Sequence, residues 1–499
     1  MPASLRQTFS YPGFGLCALI VAGLTLVRLI GLRYSVTDLY FDESQYWVWS
    51  REFAFGYFSK PPLLAWTIAV AESICGSGEA CIRSPSPILH AGTALIVFGI
   101  ARELYGERVA FWCALVLAFG TGVAFSSRII STDVPFIFLW SLALLAYLKL
   151  MRGPSLAWGV VFGLSLGFGL LAKYAMVYFL LCMMVAAIFH EQARAMFKRR
   201  ETWIALALAL LILSPNVVWN IQNGFSTYRH TADNVGGAGL RFTVTGFLSF
   251  FMTQFAVAGP IVFGGFVVAM IRIRSLPLDA NDRLLLLFSL PVVALVMTAA
   301  FVSNSHPNWM APALIAMTIL VTALLVRDNR ISWLVASIAI GAIVQIVFLV
   351  ADANADRLSI TGLKKPDVYE RTMGWRDLGD KVAALAQRSG AKSVVGERRY
   401  DVPSLIYYLR DRPWPVFTWK ADIVPNDHFE LKFPLSSQTA EPILLVTRCP
   451  IEGRLKKQFE QVSPLGQFLV RTGPTTAPDY YAFLLKGLRH PIGPIPACA

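Results

Sequence analysis

Residues 13–32 read Gly-Phe-Gly-Leu-Cys-Ala-Leu-Ile-Val-Ala-Gly-Leu-Thr-Leu-Val-Arg-Leu-Ile-Gly-Leu, and beyond them stands Tyr40-Phe41-Asp42-Glu43-Ser44-Gln45-Tyr46. The first stretch has the ~20 apolar residues that cross a bilayer, with Arg28 as its single charge. No small-residue cleavage site follows it, so it reads as an uncleaved first span rather than a signal peptide. Composition points the same way: 56% of residues are hydrophobic and only 15% charged, against about a quarter charged in soluble globular chains. Two adjacent carboxylates just outside a span are costly for a membrane protein unless they are used.

Further apolar runs lie at 87–104, 109–127, 134–151, 157–172, 175–190, 202–219, 246–271, 284–302, 309–326 and 331–350. With the first, they predict a polytopic α-helical membrane protein of about 11 transmembrane helices. Short cytoplasmic loops carry an excess of Lys and Arg. A cytoplasmic N-terminus assigns Arg102, Arg108, Arg152, Arg194, Lys198, Arg199, Arg200, Arg272, Arg274, Arg283, Arg327 and Arg330 to that side, and fewer, scattered basic residues to the other. An odd number of spans then puts Asp42-Glu43 and the C-terminal region together on the outer face.

The texture changes near residue 352, which divides the chain into a transmembrane domain, 1–351, and a soluble outer domain, 352–499. Residues 375–388 read as an amphipathic helix with Leu378, Val382, Leu385 and Ala386 at helical spacing, followed by a short strand at 393–395. A second helix over 400–410 and a second strand over 442–447 make this a small α/β domain. It has no glycine-rich phosphate fingerprint. The net charge of +13 comes from the loop arginines and from Lys364-Lys365, Arg398-Arg399 and Lys456-Lys457 in this domain. With no DNA-reading motif, these basic residues fit solvation or lipid headgroups, not nucleic acid.

Seven cysteines are too few for a disulfide scaffold. Cys17, Cys113 and Cys182 sit inside apolar runs and read as packing residues. Cys75 and Cys81 flank Gly-Ser-Gly-Glu-Ala in the first outer loop, a spacing that permits a local disulfide in an oxidising compartment. No histidine lies at zinc-ligand spacing there.

The chemistry-bearing candidates collect on the outer side: Asp42 and Glu43, then Lys60 in Tyr57-Phe58-Ser59-Lys60-Pro61-Pro62, and Arg83 before the second apolar run. Arg128 and Asp133 bracket the loop before the fourth, Lys173-Tyr174 ends the fifth, and His306-Pro307-Asn308-Trp309 precedes the tenth. Their common sidedness predicts one site. Each also has a plainer role: Lys173 snorkelling to headgroups, Arg83 and Arg128 anchoring at the interface, Asp133 capping a helix, His306 ending a loop. Asp42 resists this treatment, because capping needs only one carboxylate.

This ordered set of motifs, with a later Ala-Lys-Tyr, Pro215-Asn216-Val217-Val218-Trp219-Asn220 and Tyr228-Arg229-His230-Thr231, resembles the C-type superfamily of integral-membrane glycosyltransferases. Within it the chain is similar to the protein O-mannosyltransferases and to the bacterial transferases that add aminoarabinose or galacturonic acid to lipid A. The resemblance covers most of residues 10–350 and does not extend to the tail. It implies an inner-membrane enzyme with its C-terminal domain in the periplasm, moving a sugar from a polyprenyl-phosphate donor to a glycolipid or cell-envelope polysaccharide, with inversion at the anomeric carbon.

Roles follow from that chemistry. An acceptor hydroxyl is a weak nucleophile, so a carboxylate must take its proton as the bond forms; the resemblance implies Asp42 as this base, with Glu43 orienting the acceptor or holding Asp42. The leaving phosphate gains negative charge in the transition state and calls for preorganised cations, here Lys60, Arg128 and Lys173 with Arg83 behind them. Asp133 is implied to hold a sugar hydroxyl or to orient Lys60; Tyr57, Tyr174, His306 and Asn308 are implied substrate contacts. Ser59 stands where the aminoarabinose enzymes have an acidic residue, which weakens any metal role there; a divalent metal remains open and no other cofactor is implied. The tail lacks the β-trefoil pattern of the mannosyltransferases, which favours a glycolipid or polysaccharide acceptor over a protein one. A secondary transporter is the rival class, but transporters carry internal repeats and substrate groups at mid-depth, whereas no internal repeat is seen here and the candidate charged groups cluster at one interface.

Overall fold

The computed structural model describes residues 13–236, 242–303, 305–419 and 425–489. Seven of its helices are long and apolar enough to cross a membrane: Phe14–Tyr34, Glu79–Tyr105, Asp133–Arg152, Arg200–Gln222, Ala280–Val302, Pro307–Arg327 and Ile331–Ala353. Shorter apolar helices are Leu63–Cys75, Leu156–Ala172, Tyr174–Phe189, Val244–Val257 and Pro260–Ile271. Several helices turn bare apolar side chains outward, among them Leu19, Leu26 and Ile30 on the first and Ile343, Ile346 and Val350 on the last. In a soluble protein this surface would aggregate; in a bilayer it faces lipid, and the intrahelical bonds satisfy the backbone. The chain is a multi-pass helical membrane protein.

The chain forms two compact units. The first comprises the described residues within 1–32, 60–64 and 83–348, the second those within 33–59, 65–82 and 349–499.

In the first unit, Trp140, Tyr147, Phe162, Phe179 and Phe288 are fully buried, with the Phe179 ring centroid 5.0 Å from Trp140 and 5.1 Å from Phe288. Helix Leu156–Ala172 carries Gly159, Gly163 and Gly167 at intervals of four, one face of a helix. That face lies against Arg200–Gln222 so closely that a Cβ on Gly163 would stand 2.7 Å from the Ala205 carbonyl oxygen. Small residues in this pattern let membrane helices pack backbone to backbone. Arg28, the charge inside the first apolar run, is buried; its Nε donates to Gln345 Oε1 (2.8 Å) and its Nη2 to the Ala118 carbonyl (2.7 Å). Those acceptors replace the water it forgoes.

The second unit contains a five-stranded sheet in the order β2-β1-β3-β5-β4, where β1 is Ser393–Gly396, β2 Val416–Thr418, β3 Ile443–Thr447, β4 Phe459–Leu469 and β5 Asp479–Leu488. β1 runs parallel to β2 and β3, while β5 is antiparallel to β3 and β4. Helix Trp375–Ser389 buries Leu378, Val382, Ala383 and Ala386; helix Asp401–Tyr408 follows β1. The segments 33–59 and 65–82 belong to this unit through polar and aromatic contacts. Asp38 N–H donates to the Thr372 carbonyl (2.8 Å), Leu39 N–H to the Tyr408 hydroxyl (2.9 Å), and Tyr407 OH to the Ser77 carbonyl (2.7 Å). Trp47 meets Tyr407 edge-on at 4.9 Å, and Arg376 bridges Asp38 and Glu79.

Candidate active site

In the first unit, three helix ends bring Asp133, Lys173 and Asn308 together. Asp133 opens helix Asp133–Arg152, where a negative charge complements the unpaired N–H groups. Helix Leu156–Ala172 stops at Lys173, whose extended backbone leads into the 3₁₀ turn Tyr174–Met176. Asn308 lies in a second 3₁₀ turn, Pro307–Met310. Lys173 Nζ is 2.6 Å from Asp133 Oδ1, and Asn308 Nδ2 donates to Asp133 Oδ2 at 2.6 Å. The two charged side chains are 19% and 13% exposed, largely shielded from solvent, and the Phe136 ring lies 5.9 Å from the ammonium. Capping is therefore not what occupies Asp133: its two oxygens are engaged by Lys173 and Asn308.

Beside this group, Tyr174 OH donates to Asn216 Oδ1 (2.8 Å), receives Asn220 Nδ2 (3.4 Å), and its ring lies 5.0 Å from that of Tyr228. Asn216 and Asn220 are fully buried one turn apart in Arg200–Gln222, which contains Pro215. Arg128 lays its guanidinium over the Phe348 ring at 4.5 Å and near Phe125 at 5.6 Å. His306 is exposed and meets Trp309 edge-on at 5.7 Å. Arg83 is buried and Lys60 half-buried, both in this unit.

In the second unit, Asp42 and Glu43 lie in the first turn of helix Phe41–Ser50, Asp42 half-buried and Glu43 buried. Glu43 Oε2 accepts the Tyr40 N–H at 2.9 Å, the back-bond that closes a helix start. Tyr57 is buried, stacked on Trp49 at 5.0 Å, and shares its hydroxyl between the Trp49 and Glu52 carbonyl oxygens. Burial pushes that hydroxyl above the usual phenol range. Packing is its evident role.

Cys75 and Cys81 are joined by a disulfide with Cα atoms 5.8 Å apart; Cys17, Cys113 and Cys182 are free and buried. Among the described residues, no group of three or more His, Cys, Asp or Glu side chains is placed to hold a metal ion.

Over 430 residues the chain is 32% identical to the lipid A galacturonosyltransferase RgtD of Rhizobium johnstonii, a match that covers 86% of this chain and 90% of that protein. The chain belongs to the C-type superfamily of membrane glycosyltransferases. The profile of the dolichyl-phosphate-mannose-protein mannosyltransferase family matches residues 59–219 of the transferase, a stretch holding Lys60, Asp133, Lys173 and Asn216. Over 132 residues, 26% of its length and 24% of the relative's, it is 31% identical to the undecaprenyl phosphate-alpha-4-amino-4-deoxy-L-arabinose arabinosyl transferase 2 of Pseudomonas fluorescens. The crystal structure of ArnT from Cupriavidus metallidurans bound to undecaprenyl phosphate shares its fold, with a TM-score of 0.66, 14% identity, and coverage of 94% of this chain and 98% of that one.

Sequence reasoning gave Asn216 and Asn220 of the transferase no role of their own. The available signal was a pair of amides one turn apart, with a proline, inside an apolar run. Buried amides in a membrane helix are costly without partners, and Tyr174 is the partner they find.

Proposed function

We propose that the transferase moves a sugar from a polyprenyl-phosphate donor to a glycolipid of the lipid A or lipopolysaccharide class, on the periplasmic face of the inner membrane and with inversion at the anomeric carbon. The observation that carries this reading is the relationship to a lipid A galacturonosyltransferase along nearly the whole of both chains. It makes a uronic acid the first donor sugar to test. Asp42 takes the proton of the acceptor hydroxyl; the freed oxygen bonds to the anomeric carbon as the bond from that carbon to the phosphate oxygen breaks, and the polyprenyl phosphate leaves as an anion. Lys173, held by Asp133, which Asn308 in turn engages, meets that anion, together with Lys60, Arg128 and Arg83. A held cation reorganises little as charge develops, which is where such groups stabilise a transition state most. Glu43 fixes the start of the helix on which Asp42 stands. Tyr174 and His306 contact substrate.

The test supplies purified transferase in proteoliposomes with polyprenyl-phosphate galacturonic acid and lipid A, and follows the mass of the extracted lipid. A sugar-sized mass gain with wild type and none with Asp42→Asn is expected. No gain with any polyprenyl-phosphate sugar would refute the reading. Gain on protein instead would favour a protein acceptor, the second reading, which the mannosyltransferase profile over 59–219 supports.

A further inference from the structure

The second unit contains a cavity of about 370 Å³ to which Arg371, Arg398 and Arg448 all contribute. Arg398 follows β1 and Arg448 follows β3, two parallel neighbours whose carboxyl ends open on one edge of the sheet. The chain leaves β1 towards β2 on one side, while β3 lies on the other. The crevice outside the carboxyl ends of strands where the order reverses in this way is the usual ligand site of parallel α/β sheets. Among the described residues, none of these three guanidiniums forms an ion pair with a carboxylate, although both Asp401 and Glu370 line the same cavity. Arg448 instead lies over the Tyr480 ring at 4.4 Å.

The rest of the lining is suited to a sugar. Tyr400 is 49% exposed and meets Phe41 edge-on at 4.4 Å, which leaves aromatic surface for the apolar C–H face of a pyranose. Asp401 is buried; one oxygen accepts Tyr480 OH at 3.1 Å and the other has no hydrogen-bond partner. An unfilled buried acceptor is costly, and a ligand hydroxyl would fill it. Burial pushes its carboxyl up to about 6, against the pull of Arg448 and Arg398.

We propose that this cavity is a subsite for an anionic saccharide, with a sugar-linked phosphate or carboxylate on Arg371 and Arg398, a ring face on Tyr400, and a hydroxyl on Asp401. Tyr40 and Phe41 in its wall immediately precede Asp42. Resting on the transferase reading, the subsite holds the acceptor headgroup, whose hydroxyl Asp42 deprotonates.

The full chain in detergent is titrated with glucosamine 1-phosphate, galacturonate, inorganic phosphate and uncharged galactose, by calorimetry or ligand-observed NMR. Binding of glucosamine 1-phosphate that weakens with salt and by about tenfold in Arg371→Gln and Arg398→Gln is expected. Tyr400→Ala should weaken the sugar phosphate and leave inorganic phosphate unchanged. The same dependence with galacturonate alone would assign the anion to a uronic acid rather than to a phosphate, and would keep the subsite. Equal binding of galactose, or arginine variants that melt like wild type and bind like it, would overturn the proposal, as would absence of binding of both anionic sugars. In the transfer assay, the arginine variants should raise the acceptor KM by about tenfold. Wild-type transfer with unchanged KM in the variants sinks the subsite and spares the transferase reading, whereas binding without transfer does the reverse.

Discussion

Replacing Lys173 by Met removes its ammonium and keeps most of its apolar stem. The charge lies 2.6 Å from Asp133 Oδ1, with both side chains less than a fifth exposed. Two unit charges at that distance attract by roughly 6 kcal/mol at an effective dielectric of about 20. Most of this is offset by their desolvation, and a charge-assisted hydrogen bond contributes about 1.5–3 kcal/mol net. If the held ammonium meets the leaving phosphate, its loss lowers kcat/KM by about 10- to 100-fold. Asp133→Asn should cost a similar factor, because it frees Lys173 and deprives Asn308 Nδ2 of a charged acceptor. The two changes act through one contact, so the double variant should be no worse than the poorer single one. Initial rates of sugar transfer in proteoliposomes give the three ratios, and thermal unfolding of each variant separates lost folding from lost catalysis. Losses that multiply in the double variant, or wild-type rates for Lys173→Met, would refute the shared role.

Gly163→Leu forces a side chain into the 2.7 Å gap at the Ala205 carbonyl; overpacking of this kind costs about 1–3 kcal/mol, and a lower melting temperature in detergent should report it, while Leu164→Ala on the same helix should melt near wild type. His428 packs edge-on against Trp49 at 5.5 Å, and burial holds its imidazole down to about 3. Its folded pKa is thus below its unfolded value near 6.5, so the stability it contributes is full above that pH and is lost as pH falls through the window towards 3. Between pH 7 and 4.5 the loss is about 3 kcal/mol, and His428→Phe should remove that share of the acid sensitivity in denaturation curves; an unchanged pH slope would show that the ring is solvated. Alkylation of the unfolded chain without reductant should label Cys17, Cys113 and Cys182 and leave Cys75 and Cys81 unlabelled by mass spectrometry until a reductant is added.

Part of the second unit was readable by period. The helix expected over 375–388 is Trp375–Ser389, and the strands expected near 393–395 and 442–447 are β1 and β3. Helix and strand periods are local properties, and β1 and β3, buried at every residue, are continuous apolar runs. β4 went unread because an edge strand with Pro464, Gly466 and a register shift between them has no clean alternation. Helix Leu63–Cys75 was too short, at 13 residues, to register as a span. The candidate site was legible as a set of residue types and not as an arrangement. By sequence Lys173 is one of several cations for a phosphate and Asp133 a carboxylate for a sugar or for Lys60, whereas the contact that joins them crosses forty residues of chain.

What residues 13–32 and the runs after them determined alone is the solvent: a chain this apolar must satisfy its backbone within helices and turn its side chains to lipid. The Asp-Glu pair, by its cost at a membrane edge, singled out Asp42 as a candidate for chemistry. Tertiary structure decided that Asp133 pairs with Lys173 and Asn308, that Tyr174 closes on two buried asparagines, and that 33–59 and 65–82 fold with 349–499. These pairings depend on which helix ends and strand ends meet once the chain has closed loops of tens to hundreds of residues. Local periodicity carries no record of such distances, because packing and loop closure are settled by the whole chain at once.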